Sequence, residues 1–265
     1  MLLRETGFTF NGLHSRDDMG LQYVEKDGHT IIPRIERNAY EIAGVSGTVL
    51  MAGDVRKTIA FDGTLYPAEE HSTQREAQAM LRQVAAWLTA GRRALIFDYE
   101  PTVFYMAEVS TSSKWSLKNW FGGELPIQFT AQPWAYNVTA DEATGATAGT
   151  TLNLTINVHT GEPAPLALNI TNTGAAPITS VAVRINEDSA DSIVMAGMSL
   201  LTGQTLAISM EPPVGAQIGA ANALPYATTF VPLALASGAN TITTRLAYGT
   251  GTKGARVTAL ARGRY

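Results

Sequence analysis

The chemistry-bearing side chains of this 265-residue chain are few and scattered. Its histidines are His14, His29, His71 and His159, and none stands three or four residues from another histidine, the spacing that puts two imidazole ligands on one helix face. Asp17-Asp18 and Glu69-Glu70 are carboxylate pairs that could bind a hard cation or share a proton as an acid–base dyad. Neither pair lies in a spaced calcium loop, so both read as solvated turns. There is no cysteine, which excludes disulfides, a thiolate nucleophile and Cys-based zinc or iron–sulfur sites. No G-x-S-x-G elbow is present, and nothing nominates the members of a hydrolytic triad. Gly249, Gly251 and Gly254 spell G-x-G-x-x-G, but a dinucleotide site needs a helix after these glycines. Here Arg256–Ala261 reads as a strand, so a glycine-rich hairpin loop is expected. Asn137, Asn153 and Asn169 head N-x-T triplets, which arise by chance in a Thr-rich chain. The expectation is therefore no catalytic residue, no metal and no cofactor.

Aromatic residues are unevenly placed. Trp87, Trp115, Trp120 and Trp134 all lie in the first half. Trp87 reads as core. Trp115, Trp120 and Phe121 read either as a loop packed on the core or as part of a subunit contact, where aromatics are enriched. A sugar-binding sandwich usually offers exposed aromatic platforms, and the second half has no Trp to supply one.

The elements that must position these residues differ between the halves. One helix is expected at about 73–90. Ala77, Met80, Leu81, Val84, Trp87 and Leu88 share one face, Thr73 and Glu76 fit a capping box, and Gly91 stands where a left-handed cap is expected. Thr58–Phe61, Arg93–Phe97, Phe104–Val109 and Leu125–Thr130 read as strands, with the second and third paired antiparallel. Val24–Ile35 is a hairpin candidate turning at Lys26-Asp27-Gly28. In Tyr40–Leu50, Gly44 and Gly47 suggest a bend.

The second half reads as seven strands: Thr150–Val158, Leu166–Thr171, Thr179–Ile185, Leu206–Met210, Thr229–Leu235, Thr241–Leu246 and Arg256–Ala261. Short strands between regular turn signals indicate an antiparallel β-sandwich or jelly-roll. Asp141–Thr150 is small and polar, the best linker candidate. The fold class expected is mainly β: an α+β first domain, 1–137, and a β-sandwich, 138–265, with the boundary near 137–150.

Composition narrows the function classes. Residues 1–139 carry 13 Lys+Arg and 16 Asp+Glu, against 6 and 7 in residues 140–265. The net charge of −4 argues against a dedicated nucleic-acid binder. The uncharged run Pro212–Thr244 is interrupted by Pro213, Pro225 and Pro232, so no bilayer-spanning helix is expected. Met1–Phe10 lacks an apolar h-region and is not expected to be a signal peptide.

An ordered set of segments resembles the distal tail protein family of siphophages, the long-tailed non-contractile bacteriophages. Gly7-Phe8-Thr9-Phe10-Asn11-Gly12 and Ser15-Arg16-Asp17-Asp18-Met19-Gly20-Leu21 are similar to its opening strand and turn. Ile42-Ala43-Gly44-Val45-Ser46-Gly47-Thr48-Val49-Leu50 resembles its glycine-rich element, with Ala43 in place of a proline and Val45-Ser46 in place of Arg-Asp. Ala86-Trp87-Leu88, Ala94-Leu95-Ile96-Phe97-Asp98-Tyr99-Glu100-Pro101, Phe104-Tyr105-Met106-Ala107 and Ile127-Gln128-Phe129-Thr130-Ala131-Gln132-Pro133-Trp134-Ala135-Tyr136 follow in the family's order. In the second half the match is mainly strand rhythm, with Val231-Pro232-Leu233 and Ser237-Gly238-Ala239-Asn240-Thr241-Ile242 similar to a final turn and strand.

The resemblance implies structural work in the virion, assembled in the host cytoplasm. It implies a hexameric ring of first domains between the tail tube protein and the tip or baseplate hub. Galectin-like second domains project outward to hold receptor-binding proteins or touch host cell-wall carbohydrate. DNA would pass through without being specifically bound, and no covalent chemistry or membrane contact is required. The alternative from another class is a carbohydrate-binding adhesion module acting through the C-terminal sandwich.

Overall fold

The computed structural model describes residues 7–26, 35–36, 39–41, 48–50, 55–68, 73–110, 116–119, 122–186, 192–211 and 214–265. The chain divides into two compact units, Met1–Tyr136 and Asn137–Tyr265. Both are dominated by antiparallel strands, and the chain is mainly β, with one α-helix among the described residues.

The first unit holds β1 (Phe8–Phe10), β2 (Leu13–His14), β3 (Leu21–Glu25), β4 (Ile35–Glu36), β5 (Ala39–Glu41), β6 (Thr48–Leu50), β7 (Val55–Arg56), β8 (Ile59–Pro67), α1 (Gln74–Leu88), β9 (Arg93–Phe97), β10 (Val103–Val109), β11 (Ser116–Asn119) and β12 (Gly122–Asn137). Its main sheet runs β2-β1-β9-β10-β12-β8-β3, with β11 beside β12. Period-2 alternation drives every second side chain inward. Phe8, Phe10, Leu21, Tyr23, Phe61, Leu65, Leu95, Phe97, Ile127 and Phe129 form the core with Val84, Trp87 and Leu88 of α1. The helix begins where the capping residue predicts: Thr73 Oγ1 accepts the Glu76 amide at 3.3 Å. It ends before Gly91, whose φ of 76° is the left-handed conformation glycine adopts without strain.

The strand at Arg93–Phe97 forms as expected and pairs with β10 through Tyr105↔Leu95 and Met106↔Ala94. Of the Val24–Ile35 hairpin candidate, residues 27–34, which hold its turn and return arm, lie outside the described residues. Val24 pairs with Thr64, and Ile35 pairs with Arg56. Strand β8 offers a longer alternating apolar face, and its Gly63 leaves room for the Tyr23 ring, which a Cβ there would overlap. The Asp27-Gly28 turn and the Gly44 and Gly47 bend lie outside the described residues.

The second unit holds β13 (Asp141–Thr147), β14 (Thr151–Val158), β15 (Ala164–Asn172), β16 (Ile178–Ile185), β17 (Ile193–Leu200), β18 (Thr205–Ser209), β19 (Gly215–Ile218), β20 (Ala221–Asn222), β21 (Ala227–Phe230), β22 (Ala234–Leu235), β23 (Gly238–Tyr248) and β24 (Ala255–Ala261). One sheet runs β13-β24-β15-β18-β19-β20, with β22 beside β15. The other runs β14-β23-β16-β17-β21. Their inner faces share one core, with Ile156, Val183, Met195 and Ile242 from one sheet packed with Leu168, Ile170, Leu206 and Val257 from the other.

Three expectations change here. Asp141–Thr147 is a strand, not a linker, and pairs with β24 from Asp141↔Ala261 to Thr147↔Ala255. Small residues suit it, because a Cβ on Gly145 would lie 2.5 Å from Leu154 Cδ2. Thr229–Leu235 is two strands in two sheets, split at Val231–Leu233, where Pro232 supplies no amide for a ladder. The Gly249–Gly254 segment is not a hairpin loop, since β23 and β24 belong to different sheets. It packs instead against 173–176: Thr173 and Gly174 amides donate to Gly254 O at 3.0 and 3.1 Å, and the Ala176 amide donates to Thr252 O at 2.9 Å.

Candidate functional site

Of the four histidines, the structure describes His14 and His159, and each holds a turn. His14 Nδ1 accepts the Asp17 amide at 3.1 Å, which leaves Nε2 to donate to Asp98 Oδ1 at 3.1 Å. Asp18 Oδ2 accepts the His14 amide at 2.7 Å. The adjacent acids Asp17 and Asp18 therefore fix the β2 turn and do not converge as a dyad. His159 pairs with Asp141, whose carboxylate also accepts the His159 amide at 2.8 Å. His29, His71, Glu69, Glu70, Trp115, Trp120 and Phe121 lie outside the described residues. Among the described residues, no group of three His, Asp or Glu is placed to hold a metal ion. Among them, too, no helix is long and apolar enough to cross a membrane.

Three phenols that the sequence did not single out gather around Phe97. Tyr99 stacks on its ring at 5.1 Å, with Tyr23 at 5.9 Å and Tyr105 at 6.4 Å. Burial pushes all three phenols up, and nearby carboxylates add to it: Glu25 for Tyr23 and Tyr99, Glu100 for Tyr105. Tyr105 rises to about 12. These groups stay protonated near neutral pH and act as packing and hydrogen-bonding groups.

Two sheet faces present side chains that are not in a core. On the first unit, Ile96, Phe104, Met106, Thr130, Gln132, Trp134 and Tyr136 are half-buried. Phe104 and Tyr136 stack at 5.4 Å, and the Arg56 guanidinium lies 4.2 Å over the Trp134 ring. Tyr136 also donates to Gln132 Oε1 at 3.3 Å. Aromatic, Met and Arg side chains grouped this way match the composition of subunit contacts.

On the second unit, the outward face of the β14-β23-β16 strands is polar. Thr151, Asn153, Thr155 and Asn157 project from β14, Thr241, Thr243 and Arg245 from β23, and Ser180 and Arg184 from β16. The register sets Arg245 opposite both Thr151 and Ala182, and Arg184 opposite Thr243, so the two arginines are diagonal neighbours. An open depression of about 320 Å³ lies here, lined by Thr150, Thr151, Ser180, Ala182, Arg245, Leu246 and Ala247, about as apolar as polar. The sequence signal for this face was the Thr/Asn alternation of Thr151–Asn157, legible as a strand but not as a surface.

No protein-family model matches the chain, and no curated protein matches it. Solved structures do. The chain is similar to the Dit protein of phage SPP1, described as a paradigm of the hub adsorption apparatus in phages that infect Gram-positive bacteria, with a TM-score of 0.65, 11% identity and 98% of each chain covered. It is also similar to a chain of the phage P2 baseplate in its activated conformation with Ca, with a TM-score of 0.54, 11% identity, and 93% of this chain and 91% of that one covered. Both likenesses span both units. From end to end, the chain has the fold of the SPP1 Dit protein.

Proposed function

We propose that this protein is a distal tail protein, a structural component of a phage tail tip or of an equivalent prophage-derived particle. The observation that carries this reading is the likeness of fold along the whole chain to a hub protein and a baseplate chain. The ordered first-half segments, from Gly7–Gly12 to Ile127–Tyr136, support it independently at the sequence level.

In this reading residues 1–137 form a hexameric ring joining the tail tube protein to the tip hub. Residues 138–265 anchor receptor-binding proteins. A ring closes through head-to-tail contacts in which one surface of each protomer meets a different surface of the next. The aromatic row Phe104–Tyr136–Trp134 is a surface suited to one side of that contact. A conduit for DNA should not grip it, and a net charge of −4 is compatible with free passage. The role is architectural, its place is the virion, and assembly takes place in the host cytoplasm.

Native mass spectrometry and negative-stain imaging of the purified full chain test this. Six-membered rings are expected. Phe104→Asp, which puts a charge on the half-buried aromatic row, is expected to shift the protein towards monomer without unfolding it. A strict monomer that also fails to copurify with tail particles would overturn the reading.

A further inference from the structure

The ends of the three large sheets are not equally guarded. Strands β2 and β20 have two residues each, β3 carries Glu25, β13 carries Asp141 and Glu142, and β21 has four residues and a break in its register to β17. Shortness, charge and irregularity are the devices that keep a free edge from pairing. Strand β14 has none of them. It runs eight residues, Thr151–Val158, pairs with β23 without a register shift, and contains no charge, proline or glycine. Its neighbour β13 lies against its inner face, Gly145 beside Leu154, but hydrogen-bonds to β24 in the other sheet and so leaves the edge open. The phase of the ladder shows which groups are free. The Leu246 amide donates to Thr150 O at 2.8 Å, so alternate residues from Thr150 onward bond to β23. Thr151, Asn153, Thr155 and Asn157 therefore turn their N–H and C=O groups away from it. Thr241, opposite Thr155, is engaged on its far side: its carbonyl accepts the Asn186 amide at 2.6 Å and its amide donates to Asn186 Oδ1 at 2.9 Å.

We propose that β14 pairs antiparallel with β14 of a second copy of this chain, about a two-fold axis at Leu154, which joins the two five-stranded sheets into one. Self-complementarity argues for the occupant. A row of free amides and carbonyls is answered in full only by another strand edge. In this register Asn153 meets the second copy's Thr155, and Thr151 meets its Asn157. Each facing pair sets an amide side chain against a hydroxyl, and no charge has to leave water. On the inner side Leu154 meets its own counterpart and Leu152 meets Ile156, which extends the apolar face. The same patch serves both copies, unlike the head-to-tail contact that closes a ring. The inference goes beyond the ring reading and does not depend on it.

The test is native mass spectrometry of the full chain over a dilution series. Paired species are expected: dimers where the first units do not associate, and paired rings where they do. Thr155→Pro removes an outward N–H without touching the ladder to β23, and should weaken pairing about tenfold or more. Thr155→Val keeps the backbone donor and should leave pairing in place. Asn153→Lys with Thr155→Lys sets like charges opposite each other and should abolish pairing, as should Asn153→Asp with Thr155→Asp. Mixing those two proteins should restore it, because opposite charges then face each other. Far-UV circular dichroism reports whether the proline variant folds, and the charge exchange decides the matter if it does not. A monomer or an unpaired ring at every concentration, pairing that survives in a folded Thr155→Pro variant, or charge variants that fail to pair when mixed would overturn the proposal. Phe104→Asp keeps the result separate from the ring: it should dismantle rings and leave two-fold pairs.

Discussion

Trp87 joins the helix to the first strand in two ways at once. Its ring stacks on Phe8 at 5.5 Å with an interplanar angle of 9° and meets Phe10 edge-on at 6.2 Å. Its Nε1 donates to Phe10 O at 2.8 Å in a buried setting. Trp87→Phe keeps most of the ring contact and removes the donor, so a loss of about 1–3 kcal/mol is expected. Trp87→Ala adds a cavity, for about 3–5 kcal/mol. Urea unfolding followed by far-UV circular dichroism checks the order, and a Phe variant as stable as the parent would show that the hydrogen bond contributes nothing. Helical periodicity made the burial of Trp87 legible in the sequence. Its partner stands 77 residues away, and no local pattern announces which carbonyl a buried indole will meet. His14 teaches the same lesson, because its link to Asp98 spans 84 residues.

At the scale of elements, local signals with a local cause were readable and those set by a distant neighbour were not. Thr73, Gly91 and the apolar stripe of α1 mark a helix by themselves. The small residues of β13 look like a linker because nothing in Asp141–Thr147 shows that Leu152 and Leu154 will crowd it. The glycines of 249–254 look like a motif or a flexible loop, whereas their cause is a second loop. A Cβ on Gly174 would overlap Thr252 O and lie 2.5 Å from Gly254 N, both backbone atoms that cannot swing aside. Gly254 faces the same contact from the other side, 2.9 Å from Gly174 N. Gly203 differs, for a Cβ there meets open space and the cost comes from its φ of 79° alone. Gly174→Ala should therefore destabilise the sandwich by about 1–3 kcal/mol through overpacking, and Gly203→Ala by about 1 kcal/mol. Thermal unfolding of the two variants side by side measures the difference. Equal midpoints would remove the interlocked loops as the explanation of the G-x-G-x-x-G spacing.

For the whole molecule, the uneven spread of charge and tryptophan along the chain is what made two halves visible in the sequence. The strand rhythm then gave the class of each half, while sheet order stayed hidden because it depends on which edges meet. The open sheet faces were legible least of all. Their residues are ordinary alternating strand positions until register sets Arg184 beside Arg245, or Phe104 beside Tyr136. A division into domains 1–137 and 138–265 carries its own test, because each unit has a separate core. All four tryptophans precede residue 137, so their fluorescence reports the first unit alone, whereas the far-UV signal reports strands throughout the chain. If the units unfold independently, Gly174→Ala lowers a transition seen by circular dichroism and leaves the fluorescence midpoint where it was. Trp87→Phe lowers the fluorescence midpoint, with the remaining tryptophans as reporters, together with the matching circular-dichroism transition, and leaves the second unit's transition where it was. Coincident transitions that move together in both variants would mean that the two cores melt as one cooperative unit, and the boundary near residue 137 would then divide the packing without dividing the stability.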